Sequence, residues 1–425
     1  MMAVLLFLSF IVLIFLGVPI AFSLGLSSLL YVFLMEIPMN VMVQKMFEGI
    51  NSFVLLCIPG FVLAGNLMNA GGITPRIIDF AKKIIGHIRG GLGLANVGSS
   101  MGFAGISGTA LADTASIGAV MIPAMKKEGY SGPFAVAVTS SSSTVGPIIP
   151  PSLPMIIVGT LATVSIGDLF LAGAVPGVLL GISLMIVTYA ISVKKGYPKG
   201  EREKLSVIIK AFPGAFWALM MTVVILVGIL SGIFTPTEAA IVAVVYALIV
   251  GMFIYRELNI KDVPKIMIDS MITTAGILVL VGFANLYGWI LVSEQIPQLV
   301  ADGILSISPN AVIVILLLNL LLLFIGTFME TIAALVILFP VLLPVATEIG
   351  MDPVQFGVMM VLNLMIGLST PPVGVCLFVA SNIGKVSLVR SSIALIPFLA
   401  VSLIVLLLVS FIPEITLFLP NLLDS

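Results

Sequence analysis

Two stretches of this chain concentrate small oxygen-bearing side chains beside glycine and proline. The first reads Gly105-Ile106-Ser107-Gly108-Thr109-Ala110-Leu111-Ala112-Asp113-Thr114. The second reads Thr139-Ser140-Ser141-Ser142-Ser143-Thr144-Val145-Gly146-Pro147-Ile148-Ile149-Pro150-Pro151-Ser152. Proline has no backbone N–H and breaks the intrahelical ladder. A helix through the second stretch must therefore unwind around residues 146–151 and uncover carbonyls. Carbonyl and hydroxyl oxygens are hard ligands that suit a small hard cation. Half-helix N-termini beside such a break present N–H groups and partial positive charge to an anion. Together they point to co-binding of sodium and an anionic substrate.

The same chemistry returns later in the chain. Gly326-Thr327-Phe328-Met329-Glu330-Thr331 matches the first stretch, and Asn363-Leu364-Met365-Ile366-Gly367-Leu368-Ser369-Thr370-Pro371-Pro372 matches the second. Asp113 and Glu330 are the ionisable groups expected at membrane depth, where such groups are costly and usually functional. Plainer readings stand beside these. Ser and Thr also serve close helix packing. Asp113 could cap a helix or pair with a loop lysine, and Glu330 could cap the second arm of its hairpin. Thr237 and Glu238 follow a turn proline and read equally well as N-terminal caps.

The elements that must carry these residues belong to a membrane protein. Of 425 residues, 60% are hydrophobic and 9% charged, against about 25% charged in a soluble domain. A net charge of −1 gives no basic face for nucleic acid, and the lone His87 leaves little scope for His-based metal sites or Ser-His catalysis. Cys57 and Cys376 both lie in apolar runs and read as small buried hydrophobes. Apolar runs place about ten spans, near 3–16, 19–35, 52–70, 133–162, 169–193, 213–233, 238–255, 268–291, 354–383 and 391–412. The first run has no basic n-region and no cleavage site, so it reads as a retained span. Two further stretches, 92–125 and 312–346, are too long for one span and awkward for two. Both read as re-entrant hairpins, tolerated where protein or a water-filled cavity surrounds them. The basic segment 76–89 reads as an interfacial arm.

Charge and repetition agree with this layout. The basic loops at 76–89, 126–127, 194–210, 256–265 and 385–390 all fall on one side, and Lys45 is the only basic residue expected on the other. The positive-inside rule makes the basic side cytoplasmic and both termini periplasmic. Gly146, Pro150 and Pro151 recur 221 residues later as Gly367, Pro371 and Pro372. The same offset pairs Gly105 with Gly326, Pro123 with Pro344 and Pro176 with Pro397. Five spans separate equivalent points, so the fold expected is an all-α integral membrane protein of two inverted repeats, 1–193 and 213–425, joined by a cytoplasmic linker at 194–212. Interrupted helices at corresponding places mark a midplane binding site.

These motifs carry a resemblance. Ser107-Gly-Thr-Ala-Leu-Ala-Asp113, Ile122-Pro-Ala-Met-Lys-Lys127, Ser143-Thr-Val-Gly-Pro-Ile-Ile-Pro-Pro-Ser152, Phe234-Thr-Pro-Thr-Glu-Ala-Ala240 and Leu362-Asn-Leu-Met-Ile-Gly-Leu-Ser-Thr-Pro-Pro-Val-Gly374 resemble the large permease subunit of tripartite ATP-independent periplasmic (TRAP) transporters over nearly the whole chain. The resemblance implies an elevator-type transporter of the bacterial inner membrane driven by sodium. It implies a small four-span membrane subunit and a periplasmic substrate-binding protein as partners. The substrate would be a carboxylate, either sialic acid or a related sugar acid, or a four-carbon dicarboxylate. Sodium would fall on Ser107, Asp113, Ser141, Ser143, Thr144 and Gly146, and on Gly326, Thr327, Thr331, Asn363, Gly367 and Thr370. Substrate would meet Ser107, Gly108, Thr109, Ser142, Pro150, Met329, Glu330 and Pro371.

Two other classes compete. An intramembrane protease needs paired aspartates, a serine with a usable base, or a His-Glu zinc signature, and one loop histidine with one buried aspartate argues against it. A passive anion channel would build symmetry by oligomerisation rather than within one chain. The layout predicts that cysteines placed at Lys83 or Lys199 react with thiol reagents from the cytoplasm and those at Asp302 or Asp424 do not. The reverse labelling pattern would overturn the inverted arrangement.

Overall fold

The computed structural model describes residues 2–104, 108–308 and 310–423. Its apolar runs are helical because in hydrocarbon each backbone N–H and C=O must find its partner within the segment. The first half contains α1 (Met2–Phe15), α2 (Ile20–Leu34), α3 (Met39–Ile50), α4 (Cys57–Ala70), α5 (Ile73–Ile85), α6 (Gly91–Phe103), α7 (Ala110–Lys127), α8 (Gly132–Ser142), α9 (Leu153–Ala162) and α10 (Ile166–Lys195). The second contains α11 (Leu205–Leu230), α12 (Pro236–Ile249), α13 (Val263–Ser293), α14 (Ile296–Ile307), α15 (Ala311–Gly326), α16 (Thr331–Glu348), α17 (Pro353–Gly367), α18 (Val375–Gly384), α19 (Leu388–Phe411) and α20 (Glu414–Leu423). The fold is an inverted repeat, and the helix bounds follow its offset. Helices α7 and α16 both start and end 221 residues apart, and α8 and α17 start 221 apart.

Both expected hairpins form, as α6–α7 and α15–α16, and both expected spans are broken, into α8–α9 and α17–α18. The spans are less uniform than hydropathy suggests. Among the described residues six helices are long and apolar enough to cross a bilayer, or seven if α3 and α4 count as one span. Most of the shorter apolar helices, of 10–17 residues, are hairpin arms or halves of a broken span. The expected span at 52–70 is the second limb of a pair bent by 63°. The Phe53 carbonyl at that bend accepts the Thr237 hydroxyl at 2.9 Å, so the neighbouring span holds the bend. The equivalent stretch of the second half runs straight through as α13.

Helices α1–α4 and α11–α13 pack together as one body, and α6–α10 with α15–α20 as another. Between them lie α5, packed on α6 and α11, and α14, packed on α16, and α13 also packs directly on α16. The second body holds the core. Nearly every residue of α8 and α17 is buried, whereas α11 and α12 expose long apolar faces. The hairpins cross over, α7 packing along α18 and α16 along α9. Side-chain amides tie each broken span to the first arm of its own hairpin. Asn96 donates to Thr139 Oγ1 at 2.6 Å, and Asn363 donates to the carbonyl and side-chain oxygen of Asn319, both at 2.9 Å.

The basic loops meet at one end. Gly200 N–H donates to the Gly86 carbonyl at 2.9 Å and Gly90 N–H to that of Pro198 at 3.1 Å. Tyr197 Oη lies 2.7 Å from Ser131 Oγ, and Lys126 Nζ donates to the Gly384 carbonyl at 2.8 Å. Loops from both halves that carry Lys and Arg are thus linked, as the charge pattern requires. The capping reading of Glu238 also holds, since it forms a reciprocal capping box with Thr235.

The second hairpin tip approaches its broken span backbone to backbone. A Cβ at Gly367 would fall 2.6 Å from the Gly326 carbonyl carbon. That is backbone and cannot step aside. Gly276, in mid-α13, has no such neighbour within 4 Å. Gly367→Ala should lower thermal stability in detergent by about 1–3 kcal/mol through overpacking. Gly276→Ala should raise it by about 0.5–1 kcal/mol. Equal behaviour of the two variants in a melting experiment would show that the tip does not rest on the break.

Candidate functional site

Each hairpin tip and each break ends a helix, and the ends converge. A cavity of about 60 Å³ is lined by Gly108, Thr109, Ala110 and Leu111 at the start of α7 and by Glu330, Thr331 and Ile332 at the start of α16. Pro154 at the start of α9 and Val375 and Cys376 at the start of α18 complete the convergence, with Met365 and Leu368 from the end of α17. Four helix N-termini therefore face one space. The lining is pseudo-symmetric at the same offset, pairing Thr109 with Glu330, Ala110 with Thr331, Leu111 with Ile332 and Pro154 with Val375. Each N-terminus contributes about half a positive charge, and no Lys or Arg lines the cavity.

The caps differ between halves. Thr109 accepts from Ala112 N–H at 3.3 Å, and Glu330, at the equivalent position, accepts from Ala333 N–H at 3.1 Å. The helix-cap reading of Glu330 is therefore what the geometry displays. Glu330 and Leu111 line the cavity together. Ser152 caps α9 through Met155 N–H, while Gly374 gives α18 no side-chain cap. At α18 the Cys376 N–H instead donates to the Leu368 carbonyl at 2.9 Å.

The expected cation ligands gather in two places. Asp113 is fully buried on α7, and a Cβ at Gly146 would fall 2.1 Å from its Oδ2, so the carboxylate sits against the first break. Ser143 and Thr144 donate their hydroxyl protons one turn back, to the Thr139 and Ser141 carbonyls, both at 2.7 Å. Ser141 Oγ is buried with no hydrogen-bond partner among the described residues. At the second break Gly326 and Gly367 touch, and the Thr327 carbonyl accepts Gly374 N–H at 3.2 Å. Thr327 and Thr370 donate to the Phe324 and Ile366 carbonyls at 2.7 and 2.8 Å. Thr331 Oγ1 and Asn363 Oδ1 are buried without partners among the described residues. Unspent buried oxygens at both breaks fit a hard cation's donor set, because leaving them bare costs about 1–3 kcal/mol each.

Of the expected substrate contacts, the cavity takes Gly108, Thr109 and Glu330. Ser142 does not line it. Its hydroxyl accepts from Ser100 Oγ at 3.0 Å and donates to the Thr139 carbonyl at 3.2 Å. Pro150, Met329 and Pro371 also lie outside the lining, and Ser107 lies outside the described residues. Pro154, Met365, Leu368, Val375 and Cys376 were missed because apolar side chains in apolar runs carry no signal. A further missed contact joins the two broken spans where they cross. Ser369 Oγ donates to the Ser140 carbonyl at 2.8 Å, with Ser140 Oγ 3.2 Å away. The repeat could not reveal this pair, since the partners at offset 221 are Val361 and Ile148.

Comparison with known proteins places this architecture. The profile of the family described as "Tripartite ATP-independent periplasmic transporter, DctM component" matches residues 7–415. The sialic acid TRAP transporter large permease protein SiaM of Vibrio cholerae serotype O1 is 45% identical over 414 residues, covering 96% of each chain. The C4-dicarboxylate TRAP transporter large permease protein DctM of Rhodobacter capsulatus is 39% identical, again over 96% of each. The isethionate TRAP transporter permease protein DctMQ of Oleidesulfovibrio alaskensis is 42% identical over 95% of this chain and 64% of its own. Among solved structures, the Alcanivorax borkumensis YdaH transporter shares the fold, with a TM-score of 0.64, 14% identity and coverage of 88% and 87%. With a profile match across nearly all of its length and full-length relatives well above 30% identity, the chain belongs to the DctM component family of tripartite ATP-independent periplasmic transporters.

Proposed function

We propose that this chain is the membrane permease of a sodium-coupled uptake system for an organic acid. The observation that carries the reading is the meeting of four helix N-termini in one cavity, with unspent buried oxygens at the break on either side. The N-termini hold the substrate carboxylate by N–H groups and dipoles rather than by a side-chain cation. Sodium fills the oxygen-rich breaks, and its charge lowers the cost of bringing an anion to that depth. Each ligand then favours the other's binding, which is what coupled transport requires.

The wider assembly follows the same reading. A periplasmic binding protein delivers the substrate, and a small four-span subunit covers part of the apolar surface. The two bodies meet through α5, through α14 and where α13 packs on α16, and α6–α10 with α15–α20 move as a unit against the rest in an elevator motion. The basic end faces the cytoplasm. Relatives named for sialic acid, C4-dicarboxylates and isethionate support a small organic anion. A sugar acid such as sialic acid or a four-carbon dicarboxylate is the class proposed here.

Sodium titration of the purified chain, read through thermal stabilisation, tests the cation sites. Ser141→Ala and Thr331→Val should each raise the half-saturating sodium concentration by about fivefold, the value of one hydrogen-bond-sized interaction of about 1 kcal/mol. Ser142→Ala should leave it unchanged, because that hydroxyl is tied to Ser100. If Ser142→Ala shifted sodium affinity as much as the other two, the breaks would not be the cation sites. Asp113→Asn, which keeps shape and removes charge, should abolish sodium-dependent uptake in proteoliposomes holding the permease with its small subunit and binding protein. Uptake that persisted without a sodium gradient in the parent protein would return the chain to a passive anion pathway.

A further inference from the structure

We infer that the groove between α5 and α11 binds the phosphodiester headgroup of an anionic phospholipid. The inference rests on the membrane reading of the fold and not on sodium coupling. The groove, of about 300 Å³, is lined by Arg76, Asp79, Lys83, Val207, Lys210 and Gly214, with Ala211 between them. Its three cations are not equivalent. Lys83 pairs with Asp79 at 2.5 Å, and Arg76 pairs with Glu257 at 2.7 Å. Lys210 has no carboxylate partner among the described residues. Three cations against two carboxylates leave one positive charge, which matches the single negative charge of a phosphodiester.

Arg76 is held in place for such a role. Its guanidinium donates to the Gly72 carbonyl at 2.7 Å and stacks 4.1 Å from the Tyr255 ring centroid. Tyr255 in turn donates to the Gly214 carbonyl at 2.5 Å, in the groove wall. A guanidinium with five N–H donors keeps some to spare after these contacts.

The surroundings favour a lipid over a soluble anion. Leu205, Ile209 and Phe212 on α11 and Ile84 on α5 are exposed beside the groove, and Phe80 packs on Phe212 with ring centroids 5.8 Å apart. A soluble phosphate has no use for that apolar face, whereas acyl chains would cover it. Helix α11 is an apolar span, and Lys210 sits near its start, at headgroup depth. The groove lies at the basic end of the molecule, which the positive-inside rule assigns to the cytoplasmic leaflet. Because α5 leaves one body here and packs on the other through α6, a bound lipid would wedge the joint between them.

Native mass spectrometry of the full chain, released from mixed phosphatidylglycerol and phosphatidylcholine micelles, tests this. Phosphatidylglycerol should be retained over phosphatidylcholine, and Lys210→Gln should cut that preference about fivefold, the effect of one basic side chain at a membrane surface. Lys210→Arg should restore it. Lys127→Gln removes an exposed lysine at the same end but outside the groove, and it should change nothing. Melting curves confirm that each variant is folded. An equal loss in Lys127→Gln, or none in Lys210→Gln, overturns the proposal. Displacement of phosphatidylglycerol by millimolar inorganic phosphate also overturns it, because the groove would then be a site for a soluble anion.

Discussion

A helix interrupted inside a membrane uncovers N–H and C=O groups where water cannot satisfy them, and each bare group costs several kcal/mol. The rest of this structure answers that constraint. Both interrupted spans are placed in the body where α8 and α17 are almost wholly buried, and the second break is met by its hairpin tip. Glycine at the meeting points lets backbone approach backbone, as at Gly326 and Gly367. Larger residues there would hold the tip away and leave the carbonyls exposed.

The same arrangement supplies the chemistry. A helix that stops at depth yields an N-terminus with spare donors and a preceding turn with spare acceptors. Four such N-termini around one cavity concentrate positive potential without any buried Lys or Arg. Fixed dipoles suit a carrier better than a side-chain ion pair, because they attract an anion without binding one particular acid rigidly.

The two halves are not copies in detail, and the differences fall where the halves meet. Thr109 and Glu330 occupy equivalent caps, yet one bears a neutral hydroxyl and the other a carboxyl group. Asp113, buried against the first break, has Ala334 as its counterpart. The turn at Pro150 and Pro151 is buried, whereas Pro371 is half-buried and Pro372 exposed. The two halves are therefore unequal in charge and in access.

Much of this was already legible in the residues. The bounds of α7 and α16 share the 221-residue offset read from the sequence, and the Pro-Pro pairs located both breaks, because Gly and Pro act on the backbone wherever they stand. Segregation of Lys and Arg located the loops that meet at one end. The oxygen-rich runs identified Asp113, Ser141, Thr331 and Asn363, whose burial the fold then supplied. Tertiary structure alone decided the bend between α3 and α4, since its counterpart runs straight in α13 and the holding contact comes from Thr237, far along the chain. It alone brought Cys376, Met365 and Leu368 to the cavity and joined Ser140 to Ser369. Local chemistry determines where a helix can start and stop. Which ends face one another depends on packing between segments hundreds of residues apart, and no local pattern encodes that distance.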